Sequence, residues 1–398
     1  MKLRAFVLLA LLGAAAPASA QSLFGMRGLG VAVDPIDPRA RALGSIGTGL
    51  PGLNTSLTNP ADLGGIRRRG VSAMLQPFFG SDELDNRVDD VEGTRFPLIQ
   101  LLYPIRSRLV LGLGYGGFLE QSWSVVADGE EIIGGDRVAT RELVSADGAL
   151  AQVRLSAAYE VSAALSVGAA FGLYTGNLQR SITRTFPDSA LQFAPFARIS
   201  DWEYGGLLGA LGVRLDVSNA LRVAGSVTFS GDLDAEPQTD AITSRTYDMP
   251  LRFALGAGAM IAPRLMATAG FQYTGWSESE DFATAGTPSD VRIGARPVWE
   301  AGGGVEWEQL RSGTRIFPLR VGYRFAQLPF ALSGDEPAGE WAVSLGLGLR
   351  LASDDFGPLA VGDLAIERGH RSGWDGSISG GLTENFWRFS ASVSLFGR

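Results

Sequence analysis

Most of this chain is written in a period of two. Segments of roughly ten residues alternate apolar and polar side chains, the mark of a strand with one face in each kind of surroundings. Over 207–217, Leu207, Gly209, Leu211, Val213, Leu215 and Val217 share one parity, while Ala210, Gly212, Arg214 and Asp216 share the other. After Ser218-Asn219 the alternation resumes, with Leu221, Val223, Gly225, Val227 and Phe229 set against Arg222, Ala224, Ser226 and Thr228. Successive side chains of a strand point to opposite faces, so two such segments joined by a short turn read as a hairpin.

The pattern repeats to give fourteen strands: 71–79, 96–103, 109–118, 150–159, 165–174, 207–217, 221–229, 251–261, 265–273, 298–307, 319–325, 341–351, 359–367 and 387–395. Their connections alternate in length. One end has short turns. The other has long polar, acidic stretches at 127–147, 179–201, 231–248, 277–295 and 327–339. An even strand count, short turns at one end and long loops at the other predict a transmembrane antiparallel β-barrel of the outer-membrane type. Tyr159, Tyr273, Trp299, Trp307, Trp341 and Trp387 lie near strand ends on the apolar parity, where the aromatic girdles of such barrels sit. A soluble sandwich also alternates, but its outer face is charged. Here one face is almost wholly Leu, Val, Ala and Phe, and the other, rich in Gly, Ser, Thr and Arg, is too polar for a packed core.

The first twenty residues read as an export signal: basic Lys2 and Arg4, an apolar run from Phe6 to Ala16, and a small-residue cleavage site at Ala18-Ser19-Ala20. Removing it takes the formal charge from −8 to about −10 and leaves Gln21 first. Lys2 is the only lysine, so every basic residue of the mature chain is Arg. An acidic chain without a basic tract argues against nucleic-acid partners. The absence of Cys removes disulfides and thiolate metal sites.

One long stretch after the signal does not alternate: Ala40–Ile66, within an expected plug of residues 21–69 ahead of a barrel at 70–398. A closed sheet of fourteen strands is too wide for side chains alone to fill, and this Gly-rich segment with short helices is the natural filling. Asn54 is a candidate helix cap. Asn59-Pro60-Ala61 marks a turn, expected to pack on the inner wall near the periplasmic end, because Pro60 lacks an N–H and pushes Asn59 to extended backbone.

With these features the chain resembles the FadL-type family of outer-membrane transporters for long-chain fatty acids and other hydrophobic molecules. Gly28-Leu29-Gly30, Arg41-Ala42-Leu43-Gly44, Asn59-Pro60-Ala61 followed by Leu63, the fourteen strands and the closing Thr383–Phe396 carry the likeness across the mature chain. It departs in ending on Gly397-Arg398 rather than on the aromatic, and the family's outer capture pocket has no residue-by-residue match in these loops. The resemblance implies passive uptake of hydrophobic molecules through a plugged barrel. It extends to barrels that serve secretion systems, so a non-transporting docking or assembly partner is the alternative.

Nothing here points to an enzyme or a cofactor. Gly112-x-Gly114-x-x-Gly117 lies within a strand and Gly47-x-Gly49-x-x-Gly52 follows none, so neither has the strand–turn–helix setting of a dinucleotide site. His370, the single histidine, falls in a polar stretch expected to be a solvated loop, which leaves no His-dependent hydrolysis and no metal site. The polar face carries Arg154, Arg214, Arg222, Arg252, Arg320, Arg324, Arg350 and Arg388 beside Glu160, Asp216, Glu300 and Glu306. They form either a salt-bridge lattice that holds the plug or, at Arg214, Arg222, Arg252, Arg320 or Arg324, a receptor for a substrate carboxylate, which Arg grips with two parallel bonds. Expected partners are outer-membrane lipid, lipopolysaccharide and a hydrophobic small molecule, around a monomer.

Overall fold

The computed structural model describes residues 22–398 apart from 27, 45, 85–86, 187–193, 239–242, 277–294, 309–310, 313–314, 331–337, 355–356, 374–380 and 398. The expected signal peptide lies outside the described residues, as does most of the stretch 277–295.

Fourteen antiparallel strands make the wall. They are β1 Gly70–Leu84, β2 Arg87–Arg106, β3 Leu109–Glu120, β4 Asp136–Glu160, β5 Leu165–Thr185, β6 Phe196–Ser218, β7 Leu221–Pro237, β8 Arg252–Ala262, β9 Leu265–Thr274, β10 Val298–Trp307, β11 Leu319–Gln327, β12 Gly339–Asp354, β13 Gly357–Gly373 and β14 Leu382–Phe396. Each pairs with the next, and β14 pairs with β1 from Leu382↔Leu84 to Phe396↔Gly70, which closes the sheet. Closure joins the two outer strands of the sheet to each other. The alternation fixes which face is out: Leu211 is 53% and Phe171 63% exposed, whereas Arg214 and Arg320 are 4% exposed. The six girdle aromatics all stand on the outer face. An exposed belt of this size is at rest only in hydrocarbon.

The strands outrun the expected loops. Residues 127–147 form part of a hairpin between Trp123–Ile133 and β4 that turns at Gly134-Gly135, both with positive φ (64° and 101°). Two consecutive positive-φ residues are what a tight hairpin turn requires. The stretches 179–201 and 231–248 likewise carry strand to Thr185, from Phe196 and to Pro237. His370 is a strand residue of β13 rather than a loop residue; it faces Asn385 on β14, with its Nδ1 3.1 Å from the Asn385 Oδ1. Beyond the hydrocarbon layer an outward residue is free to be polar, so these extensions lose the apolar half of the alternation.

Most of the described residues between 22 and 66 are buried inside the barrel. They hold a 3-10 turn at Leu23–Met26, a short helix, α1, at Pro38–Ala42 and a second 3-10 turn at Pro60–Leu63. Asp37 caps α1 by accepting from the Ala40 N–H at 2.8 Å. Asn54 caps no helix, contrary to expectation. Its Nδ2 donates to Gly47 O at 2.8 Å and to Asp62 Oδ2 at 3.1 Å, tying the plug to itself. Lumen-facing glycines let the plug approach the wall. The strand motif at Gly112 and Gly114 is part of this seat: a Cβ on Gly112 would meet Leu63 Cδ1 at 2.8 Å, and one on Gly114 would overlap the Leu57 side chain.

Candidate transport site

Asn59 sits where β6 passes the plug. Its Oδ1 accepts from the Ala61 N–H at 2.9 Å and so caps the Pro60–Leu63 turn. Its Nδ2 donates to the backbone carbonyl of Val213 at 3.2 Å, not to a wall side chain. Gly212 and Gly168 lie beneath Asn59 and the Pro60-Ala61 peptide, where any Cβ would collide. The sequence-predicted trio is therefore a docking turn, short of the periplasmic mouth at Ser218-Asn219.

Four of the five arginines proposed to take a carboxylate hold the plug or complete ion pairs. Arg214 donates to Gly64 O and, through Nη2, to Ser166 Oγ at 2.9 Å. Arg222 donates to Leu50 O at 3.0 Å and pairs with Asp216. Arg320 bonds Glu306 and Asp363, each at 2.6 Å. Arg324 pairs with Glu300 at 3.1 Å, with Asp34 at 3.4 Å and with Glu340. Plug residues join the same lattice: Arg39 grips Glu306 at 2.7 and 2.9 Å, and Arg41 lies 3.6 Å from Glu367. Buried pairs of this kind are costly to form and costlier to break singly.

Asp62 is the plug's own buried acid. Its Oδ2 accepts from the Gly49 N–H and from Asn54, both at 3.1 Å. Burial pushes its carboxyl up to about 6, against the pull of the Gly49 N–H and of Arg214 and Arg222.

Arg252 is different. Among the described residues it has no carboxylate partner. It lies 4.7 Å from the centre of the Phe118 ring, and its Nη2 is 3.4 Å from the Tyr174 hydroxyl. Phe118 packs on Tyr174 at 4.9 Å and on Trp276 at 6.3 Å, and Trp276 on Phe330 at 5.1 Å. Leu29, Leu150, Leu208, Leu233 and Val298 extend this cluster across the outer half of the lumen. A cavity of about 70 Å³ opens beside it, lined by Phe118, Arg252, Trp276, Val298 and Arg324. On the periplasmic side of the plug lies a vestibule of about 940 Å³ lined by Arg39, Arg67, Arg214 and Arg264 among others.

The wall beside the aromatic cluster is not continuous. β2 and β3 pair only from Arg106↔Leu109 to Leu98↔Gly116, and above that β2 is bonded to β1 alone. The free edge of β3 is covered instead by the plug: Val31 and Ala32 pair with Glu120 and Leu119, and the Val33 N–H donates to Phe118 O at 2.9 Å. Arg95 and Glu120 span the gap as an ion pair. Sequence reasoning missed the gap and the cluster. Phe118 is the last residue of the expected strand 109–118, and Trp276 and Arg95 fall outside the expected strands.

Together these features define a class: a plugged fourteen-stranded barrel with an aromatic chamber behind a gap in its wall. No protein-family model and no curated protein matches the sequence. Solved structures do. The Ralstonia pickettii toluene transporter TbuX is 17% identical, with a TM-score of 0.59 over 92% of this chain and 99% of that one. A Pseudomonas aeruginosa FadL homologue is 14% identical, with a TM-score of 0.57 over 96% and 98%. The P. putida toluene transporter TodX is 14% identical, with a TM-score of 0.56 over 93% and 98%. At these identities the likeness is one of fold: the chain folds as the FadL-type transporters do.

Proposed function

We propose that this protein is an outer-membrane channel for passive uptake of hydrophobic small molecules. The observation that carries the reading is the aromatic cluster around Phe118 and Trp276, placed where β2 and β3 do not pair and where the plug residues Val31–Val33 are the stopper. Apolar cargo leaves water favourably among such rings. The 70 Å³ cavity is smaller than usual ligand sites of about 300 Å³ or more, so the rings or the plug part as cargo enters. The fold-level relatives are described as toluene transporters and as a FadL homologue, which makes monoaromatic hydrocarbons and long-chain fatty acids the two cargo classes to test. Arg252 distinguishes them, because a guanidinium with no carboxylate partner among the described residues, beside a greasy chamber, favours a carboxylate-ended molecule. The chain acts as a monomer in outer-membrane lipid and lipopolysaccharide, with no nucleic-acid partner and no catalytic role. The filled lumen favours a second reading, a barrel that docks other envelope proteins without transporting.

Uptake of labelled oleate and labelled toluene by cells with and without the gene tests the proposal. Phe118→Ala with Trp276→Ala lowers uptake of whichever compound is carried, and Arg252→Gln lowers that of oleate alone. Equal uptake with and without the gene overturns transport and leaves the docking reading.

A further inference from the structure

The vestibule on the periplasmic side of the plug holds more positive charge than its own acids balance. Among the described residues, eight arginines and three acids line its volume of about 940 Å³. Glu306 is taken by Arg39 and Arg320, Asp363 by Arg320, and Glu308 by Arg350. Asp216 and Glu160, behind the lining, serve Arg222 and Arg67. With these two counted as well, eight guanidiniums face five carboxylates. Arg214 shares Asp216 from 3.6 Å, and its buried Nε has no hydrogen bond. Arg264 is exposed and forms an ion pair with none of the five.

Arg264 follows Pro263 in the turn between β8 and β9, with φ at 66°. It is the one non-glycine residue with positive φ among the described residues. Glycine or asparagine enters that region at lower cost, so the chain keeps a guanidinium at the mouth against the preference of its backbone. Beside it the lining turns apolar. Met260 and Met266 are direct partners across β8 and β9, and Met260 is 40% exposed although its parity is that of the lumen. Leu53 of the plug lies next to them, since Arg39 donates to Leu53 O at 3.1 Å and reaches Met266 Sδ at 3.8 Å. Methionine side chains adapt to apolar partners of varied shape. We propose that this vestibule binds a single-tailed anionic amphiphile, a long-chain carboxylate or a monoalkyl phosphate, with its head on Arg264 and its tail on Met260, Met266 and Leu53. A guanidinium grips either head with two parallel bonds, and the tail leaves water for the methionines. The volume falls in the usual range for ligand sites, about 300–1,000 Å³. The site is separate from the aromatic chamber and holds its ligand whether or not the chamber passes cargo.

Photo-crosslinking locates such a ligand directly. The barrel in native outer-membrane vesicles is irradiated with hexadecanoic acid that carries a diazirine in its tail, and the labelled peptides are mapped by mass spectrometry. Labels are expected on the segment that holds Met260 and Met266. Arg264→Asn suits the turn and removes the charge. It should lower labelling of that segment about tenfold at low probe, the loss of one charge-assisted bond, and Arg264→Lys should restore most of it. Should the Asn variant fail to fold, Arg264→Gly removes the same charge from a turn that accepts glycine. Competition by unlabelled hexadecanoate, by hexadecyl phosphate or by both supports the site and ranks the two heads. Equal competition by hexadecanol overturns it, since the charge then plays no part. So does labelling unchanged in every Arg264 variant that folds, or labelling of the lipid-facing wall with none at Met260 and Met266. Labels at Phe118 and Trp276 report the chamber alone, so the uptake reading stands or falls on its own result.

Discussion

The plug is fastened differently on its two sides. Towards β10–β14 it meets the wall charge to charge: Arg39 with Glu306, Arg41 with Glu367, Asp34 with Arg324. Towards β4–β7 it meets the wall charge to carbonyl. Arg154 donates to Leu57 O at 2.9 Å, Arg214 to Gly64 O, Arg222 to Leu50 O, and Ser226 to Thr58 O at 2.9 Å. On that side the Arg67–Glu160 plug–wall ion pair has Arg67 exposed. A backbone carbonyl carries no net charge, so losing one such bond leaves a single guanidinium short of an acceptor. Losing one member of a charged lattice strands several. On this contrast the β10–β14 side is expected to be the stiff side, and the β4–β7 side the first to release if the plug moves. Plug carbonyls also account for part of the surplus of Arg over acid on the inner face: Arg154 donates to Leu57 O, and Arg214 and Arg222, which share Asp216, donate to Gly64 O and Leu50 O.

The sharpest way to break the contrast is Glu340→Gln. Glu340 pairs with Arg324, Arg371 and Arg388, and all three are buried. Removing the shared acid should cost about 3–5 kcal/mol, the range for breaking a buried ion pair from one side. The readout is the temperature at which the folded band on a gel converts to the unfolded one. A shift no larger than that of a surface substitution would show that the lattice adds nothing to the stiff side.

Acidity probes the other side. The Asp62 carboxyl titrates near 6 in the seated plug against an ordinary 3.8, so its proton is held more tightly when the plug is seated. Seating therefore weakens as pH rises from about 4 to about 6 and changes little on either side of that window. Two units correspond to about 3 kcal/mol at the limit. Ion conductance through the barrel in a planar bilayer should be lower near pH 5 than near pH 8, and Asp62→Asn should flatten that dependence. A third change tests fit rather than charge. Gly212→Val puts side-chain atoms where Asn59 lies, so the turn must lift at a cost of about 1–3 kcal/mol. Conductance should rise while the gel conversion temperature of the wall barely moves.

The wall was legible because the bilayer imposes its own period. Every strand that crosses hydrocarbon must show lipid an apolar parity, and all fourteen were read from that alone. Outside the hydrocarbon the rule lapses. The hairpin at Gly134-Gly135 and the strand position of His370 went unread for that reason, although two adjacent glycines between polar runs were a usable turn signal. The lumen was legible in kind but not in partner. Parity placed Arg320 and Arg324 inside, yet their acids sit on other strands and, for Asp34, 290 residues away in sequence. Ser226 shows the same limit. Parity puts it on the lumen face, and there it is 6% exposed and bonded to Thr58 of the plug, a partner the alternation does not name.

The smallest expected effect falls on Asn59. Its side chain makes two bonds, one that caps the Pro60–Leu63 turn and one that reaches Val213 on the wall. Loss of a cap costs about 1 kcal/mol, and one neutral hydrogen bond to a carbonyl is worth about the same or less. Asn59→Ala should therefore leave the barrel folded and heat-modifiable, with a barely shifted conversion temperature. Its consequence should appear in the plug. Freed from β6, the turn should open more often, seen as brief conductance steps in a planar bilayer that the parent protein lacks. Asn59→Asp separates the two bonds, because it keeps the capping oxygen but cannot donate to Val213. If Asp restores the closed baseline, the cap alone seats the turn. If it flickers as Ala does, the bond to the wall is what holds the releasing side in place.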